Sequence, residues 1–408
     1  MHRAVGCNAP LNSPAPNSTA IARVGSIDAY RGFVMLLMMG EVLEFGHVAR
    51  ALPESGFWKF LALQQSHVAW VGCTLHDLIQ PSFSFLVGVA LPFSLARRTA
   101  EGQPQWQRTL HAFWRALVLV LLGVFLRSMG RAQTNWTFED TLTQIGLGYG
   151  FLYLLGLRST RVQWTALAAL LVGYWLAFAL FPLPGADFDW AKAGVKSDWA
   201  GNLTGFAAHW NKNTNFAWRF DTWFMNLLPR EKPFTCNGGG YSTLSFIPTL
   251  ATMILGLLAG GVLRSGRTAV EQARWFAIAG VVGLAAGWLC GSTGLCPVVK
   301  RIWTPGWVLF SGGWCFLLLA AFHLTLDVWR RRKWAFPLVV VGANSIAAYL
   351  IAHLFDGFIR SALPRHLGTA WYQFAGPAYE PLLLGAGVLL VEWLLLWWMY
   401  RRKIFLRV

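Results

Sequence analysis
The sequence is short of charge. Only 13% of its 408 residues are Asp, Glu, Lys or Arg, against about 25% in a soluble domain. Acids are the scarcer kind, with 18 Asp and Glu against 34 Lys and Arg, so the net charge is +16. Six cysteines in this length do not make a disulfide scaffold. Metal-ligand spacing, a nucleotide-binding glycine loop and a serine-nucleophile elbow are all missing, which argues against those chemistries. The N-terminal stretch lacks the apolar core of a signal peptide. Residues 1–25 therefore read as a disordered cytoplasmic tail, and 26–408 as one domain.

What is abundant is apolar surface. Hydrophobic residues make up 55% of the chain, with 23 Trp and 29 Phe. A membrane helix needs roughly 20 mostly apolar residues. Ten such segments occur, near 32–50, 74–96, 112–129, 142–157, 162–182, 243–264, 275–291, 305–328, 335–355 and 381–400. The fold class expected is an all-α integral membrane bundle of about ten helices. With the N-terminus inside, one face collects 20 of the 34 basic residues and only four acids, Asp28, Glu101, Glu271 and Asp327. The whole excess charge then lies on one side. That is the positive-inside pattern, with both termini cytoplasmic in the inner membrane of a cell, and it leaves nucleic acid without a role. The long outer segment 183–242 is rich in Trp and reads as a folded lid over an outward-facing cavity.

Several groups carry possible chemistry. His67 ends the first outer loop, and Asp77, Gln80, Ser84 and Gly88 follow on one helical face. A polar stripe in an apolar helix faces the bundle interior or a wet cavity. His67 with Asp77 is either a base or nucleophile with its partner, or a loop histidine beside a helix-start carboxylate. Asn344 adjoins Ser345, Tyr349 and His353, which recur four residues apart and serve either as a site or as helix glue. Asn237 opens a run of three glycines that either exposes N–H groups to a ligand or simply turns. Lys300 and Arg301 beside Trp303 either hold an anion or anchor the interface. Glu41 and Glu392 lie within membrane segments, where each needs a partner or a proton. A bridge among Cys73, Cys236, Cys290 and Cys296 is open on the outer side.

These motifs resemble the bacterial relatives of heparan-α-glucosaminide N-acetyltransferase, a family of multi-pass membrane acetyltransferases. Ser26-Ile27-Asp28-Ala29-Tyr30-Arg31-Gly32 is similar to the family's opening motif. His67, Trp70, Gly72, Thr74 and Asp77 match its H-x-x-W-x-G-x-T-x-x-D segment. Pro297, Lys300, Trp303 and Thr304 match P-x-x-K-x-x-W-[ST], and Gly342, Asn344, Ser345 and Ile346 match G-x-N-S-I. Glu41-Val42 stands where the family has a polar Asn.

The resemblance implies transfer of an acetyl group from cytoplasmic acetyl-CoA, as co-substrate without a metal, to a glycan or amino-sugar acceptor on the far side. It implies His67 and Asp77 as the catalytic pair. Trp70, Asn237, Lys300, Trp303, Asn344, Ser345, Tyr349 and His353 are expected to bind substrate or acetyl-CoA. The bilayer is the expected surrounding, and a homodimer is compatible with it. The competing expectation is a proton-coupled transporter using Glu41 and Glu392.

Overall fold
The computed structural model describes residues 25–406, so the tail expected over 1–25 lies almost wholly outside the described residues. The chain is a helical bundle. Helix α1 (Gly25–Met39) leads through a short turn into α2 (Phe45–Ala51) and α3 (Gly56–Gln64). The bundle continues with α4 (Ile79–Ala100), α5 (Gln105–Ser128), α6 (Thr141–Gly156) and α7 (Thr160–Ala179). A folded segment between α7 and α10 holds α8 (Trp190–Ala193) and α9 (Phe216–Phe224). Then follow α10 (Phe246–Leu263), α11 (Ala269–Ser292), α12 (Pro305–His323), α13 (Phe336–Gly342), α14 (Ser345–Leu367), α15 (Ala370–Gln373) and α16 (Glu380–Arg401).

Among the described residues, eight helices are long and apolar enough to cross a membrane, and nine if α1 with α2 is one bent span. The protein is a multi-pass membrane bundle. The fourth expected crossing, α6, has only 16 residues and is buried between α5 and α10. The ninth differs more. The expected helix over 335–355 is broken at Ala343 and Asn344, so α13 is a short separate element and the span is Ser345–Leu367. Asn344 has φ −134° and ψ 41°, outside the helical region. Its amide donates to the Ile404 carbonyl at 2.8 Å and accepts from the Leu406 N–H at 2.9 Å. The break is held by the chain's own C-terminal segment.

Local chemistry sets the helix starts. Asp140 caps α6 by accepting from the N–H groups of Leu142 and Thr143. Thr268 and Glu271 form a reciprocal capping box on α11, and Thr304 caps α12 ahead of Pro305. Without a hydrophobic drive between helices in lipid, close approach of backbones supplies the packing. A Cβ on Gly88 would overlap the Met253 carbonyl, and one on Gly256 would overlap that of Phe85, so α4 and α10 touch backbone to backbone. Gly32 and Gly342 join α1 to α13 in the same way.

The termini of the described chain share one end. Gly342 rests on the Asp28 carbonyl, and the neighbouring Asn344 holds Ile404 and Leu406. The segment between α7 and α10 is folded against the bundle. Trp70, Tyr174, Phe178, Trp210, Val299 and Ile302 form a second core that binds it to the bundle. The five described cysteines, Cys73, Cys236, Cys290, Cys296 and Cys315, are all free, so the possible outer bridge is not formed.

Candidate active site
Two loops from distant parts of the sequence are stitched together at the end of the bundle away from the termini. Val71 pairs antiparallel with Val299 in a single β-bridge, and the Gly72 N–H donates to the Val298 carbonyl at 3.0 Å. The second loop folds tightly on itself. Its Thr304 hydroxyl donates to the Pro297 carbonyl (2.6 Å) and accepts from the Val299 N–H (3.1 Å). Trp303 takes a left-handed φ of 49°, and its N–H donates to the Lys300 carbonyl. This turn brings Lys300 under the histidine loop.

The result is a compact ionic group. His67 Nδ1 lies 2.7 Å from Asp77 Oδ1. Lys300 Nζ is 3.2 Å from the same oxygen and 3.3 Å from His67 Nδ1. Asp77 Oδ2 accepts from the N–H groups of Val68 (3.3 Å) and Thr74 (3.2 Å). The carboxylate is 1% exposed, yet every lone-pair direction is served, so its burial is tolerated. An ionised carboxylate only accepts, which fixes the His67 proton on Nδ1. The Nε2 lone pair is left to the cavity, and among the described residues no protein group bonds it. The Asp77 hydrogen bond pulls the His67 pKa up, but burial and the Lys300 charge together outweigh it and hold it below the ordinary histidine value. Burial likewise draws the Lys300 ammonium down against the opposing pull of Asp77.

His67 opens on a cavity of about 880 Å³, within the usual range for a small-molecule site. Lys300, Asn237, Tyr349 and His353 line it, and Asp77 sits behind His67. Glu41 lines it too, close to His76, whose Nε2 is 3.3 Å from the Glu41 carboxylate. The cavity is also lined by Glu44 and Arg360, joined at 2.8 Å, and by Met38, Phe83 and Tyr349 from three of the helices. Arg127, Glu139, Asp140 and Asp356 complete a strongly polar wall.

Four expected ligand contacts lie elsewhere. Trp70 is buried, and its indole donates to the Trp210 carbonyl at 3.1 Å. The Trp303 indole donates to the Thr252 hydroxyl at 3.0 Å. Asn344 clasps the C-terminal segment, and Ser345 merely begins α14 away from the cavity. All four pack or shape the walls. Asn237 lines the cavity, but its side-chain oxygen accepts from the N–H groups of Gly239 and Tyr241, so it holds its own turn. Arg301 locks that turn to the histidine loop through the carbonyls of Gly239 (2.6 Å) and Val68 (3.2 Å). Glu392 is fully buried on α16 with neither carboxyl oxygen hydrogen-bonded, away from the cavity.

His76, Arg127, Glu139, Asp356 and Arg360 were not singled out by sequence. Asp356 and Arg360 carried a signal, because charge within an apolar helix is costly and normally faces a wet interior. Among the described residues, no group of three or more His, Cys, Asp or Glu is placed to hold a metal ion.

Fold and site together define a multi-pass membrane protein with a carboxylate-backed histidine facing a cavity between its helices and loops. No protein-family model matches the chain. Two curated proteins are similar along nearly its whole length. The heparan-alpha-glucosaminide N-acetyltransferase of Homo sapiens is 22% identical over 95% of this chain. The Mus musculus protein of the same name is 20% identical over 97%. Along nearly its whole length the chain is thus similar to proteins named heparan-alpha-glucosaminide N-acetyltransferase. It spans about three fifths of the length of these relatives, 60% and 62% respectively.

Proposed function
We propose that this protein is a membrane-embedded acyltransferase that moves an acetyl group from acetyl-CoA to a sugar or amino-sugar acceptor, with His67 as the reacting base or nucleophile. One observation carries the reading. His67 presents an unprotonated Nε2 to a polar cavity while Asp77 fixes its tautomer and Lys300 holds Asp77. Orientation of an imidazole by a buried carboxylate is the arrangement acyl transfer uses. As nucleophile, Nε2 would attack the thioester carbonyl, and the C–S bond would break to release CoA. As base, it would take the proton of the attacking acceptor instead. Asp77 stabilises the imidazolium formed in either case.

The names of the relatives support acetyl transfer to a glucosamine residue. The basic end of the bundle is read as cytoplasmic, with both termini there, so the histidine faces the far side of the membrane. The cavity's lining by Met38, Phe83 and Tyr349 from the helices suits a donor arriving through the bundle. Its carboxylates suit an amine-bearing acceptor.

The test is turnover of labelled acetyl-CoA by the purified full-length chain in detergent, with glucosamine as acceptor. Label transfer or CoA release that falls at least 1,000-fold in His67→Ala, without loss of thermal stability, is expected. Wild-type protein that neither binds nor turns over acetyl-CoA would refute the reading.

A further inference from the structure
The cavity holds a second oriented imidazole. His76 opens the turn ahead of α4, and its ring centroid lies 4.5 Å from that of His67 at an interplanar angle of 54°. The Glu41 carboxylate, from the turn after α1, is 3.3 Å from His76 Nε2. A carboxylate only accepts, so this contact favours a proton on His76 Nε2 and the lone pair on Nδ1, to which no described protein group is hydrogen-bonded. Two different carboxylates thus orient two adjacent rings, Asp77 for His67 and Glu41 for His76. Both rings line the same space.

An amine acceptor reaches neutral water as an ammonium ion, which has no lone pair with which to attack. The carboxylates of the cavity wall, Glu41, Glu139, Asp140 and Asp356, attract it, but one proton must leave within reach of the acyl carbon. His67 cannot take that proton while its Nε2 carries the acyl group. His76 lines the same cavity with its ring centroid 4.5 Å away, and it is the adjacent imidazole that carries no acyl group.

We propose that His76, positioned by Glu41, is the base that deprotonates the acceptor while His67 handles the acyl group. The inference rests on the acyltransferase reading. The acceptor nitrogen bonds to the acyl carbon as the bond from that carbon to His67 Nε2 breaks, returning His67 as neutral imidazole. One ammonium proton passes to His76 Nδ1 and through the cavity to water. The other is lost to water from the tetrahedral adduct and offsets the proton that the CoA thiolate takes up from water on leaving, so protons and charge balance.

The test compares two acceptors on the full chain in detergent at pH 7, with acetyl-CoA as donor. Glucosamine is largely protonated and needs a base, whereas hydroxylamine is already largely neutral. His76→Gln is expected to slow transfer to glucosamine about 100-fold and to leave transfer to hydroxylamine near wild type. Imidazole added to solution should restore much of the glucosamine rate. Glu41→Gln should show the same selectivity at smaller size, about 10-fold, with the loss in kcat and not in KM. Equal losses with both acceptors, or no loss with either, would overturn the assignment of His76 while leaving His67 as the reacting group. If His76→Gln does not fold, Glu41→Gln decides by the same comparison. A wild-type chain that neither binds acetyl-CoA nor turns it over with either acceptor refutes the acyltransferase reading and this inference with it.

Discussion
At the scale of single residues, the site is an argument about which proton sits where. Asp77 can only accept, so it sets the His67 tautomer. Lys300 pulls in the opposite electrostatic sense on the same ring. A histidine with a depressed pKa is neutral, and therefore active as base or nucleophile, down to a pH below the ordinary histidine range. Activity should rise with pH through that depressed value. Removing a cation that lowers the pKa raises it, so Lys300→Met is expected to move the acidic limb of the rate profile to higher pH. Removing the hydrogen bond that raises it lowers it, so Asp77→Asn should move the limb the other way while also reducing kcat through loss of the tautomer. Rate measurements from pH 4.5 to 8 on both variants check the two directions. Each single change also strands a buried charge, at a cost of about 3–5 kcal/mol. The paired variant Asp77→Asn with Lys300→Met should melt closer to wild type than either single one.

At the scale of elements, the residues that looked like ligands divide by what their backbone does. Asn344 sits at a break between α13 and α14, and both ends of its amide are spent on residues 404 and 406. Asn344→Ala should cost about 1–3 kcal/mol in unfolding free energy, since two backbone groups lose their partner. It should leave the KM for acetyl-CoA unchanged, because the side chain does not reach the cavity. A rise in that KM would return Asn344 to the binding site. The α4–α10 contact follows the same logic. Gly256→Val would push the helices apart at the hub of the bundle, and a steep loss of thermal stability in detergent is expected.

The helices themselves were readable because an apolar run of membrane length admits only one low-energy backbone. Their interruption was not readable. The run over 335–355 remains apolar across Asn344, and what breaks it is a partner 60 residues away. The site shows the same division. His67 and Asp77 are ten residues apart and were read as a pair. Lys300 joins them from 223 residues further on through a bridge between Val71 and Val299 that no spacing announces.

At the scale of the molecule, charge asymmetry and structure agree on one geometry. The described termini meet at one end, and the histidine cavity opens at the other. With the native cysteines replaced by serine, impermeant thiol reagents on intact cells should label a cysteine placed at Gly185, in the exposed segment between α7 and α10, and leave one placed at Arg402 unlabelled until the membrane is opened. The reverse pattern would invert the orientation. The sequence by itself determined that this chain lives in a membrane, roughly how many times it crosses, and which end is basic. Those properties are sums over many residues, and transfer free energy and charge depend on composition and period alone. Only the tertiary structure decided which polar residues share one cavity. It sent Trp70, Trp303 and Asn344 into the packing, and it set His76 and Glu41 beside His67. Such choices depend on how helices meet, and backbone contacts such as those at Gly88 and Gly256 fix that between segments far apart in the chain.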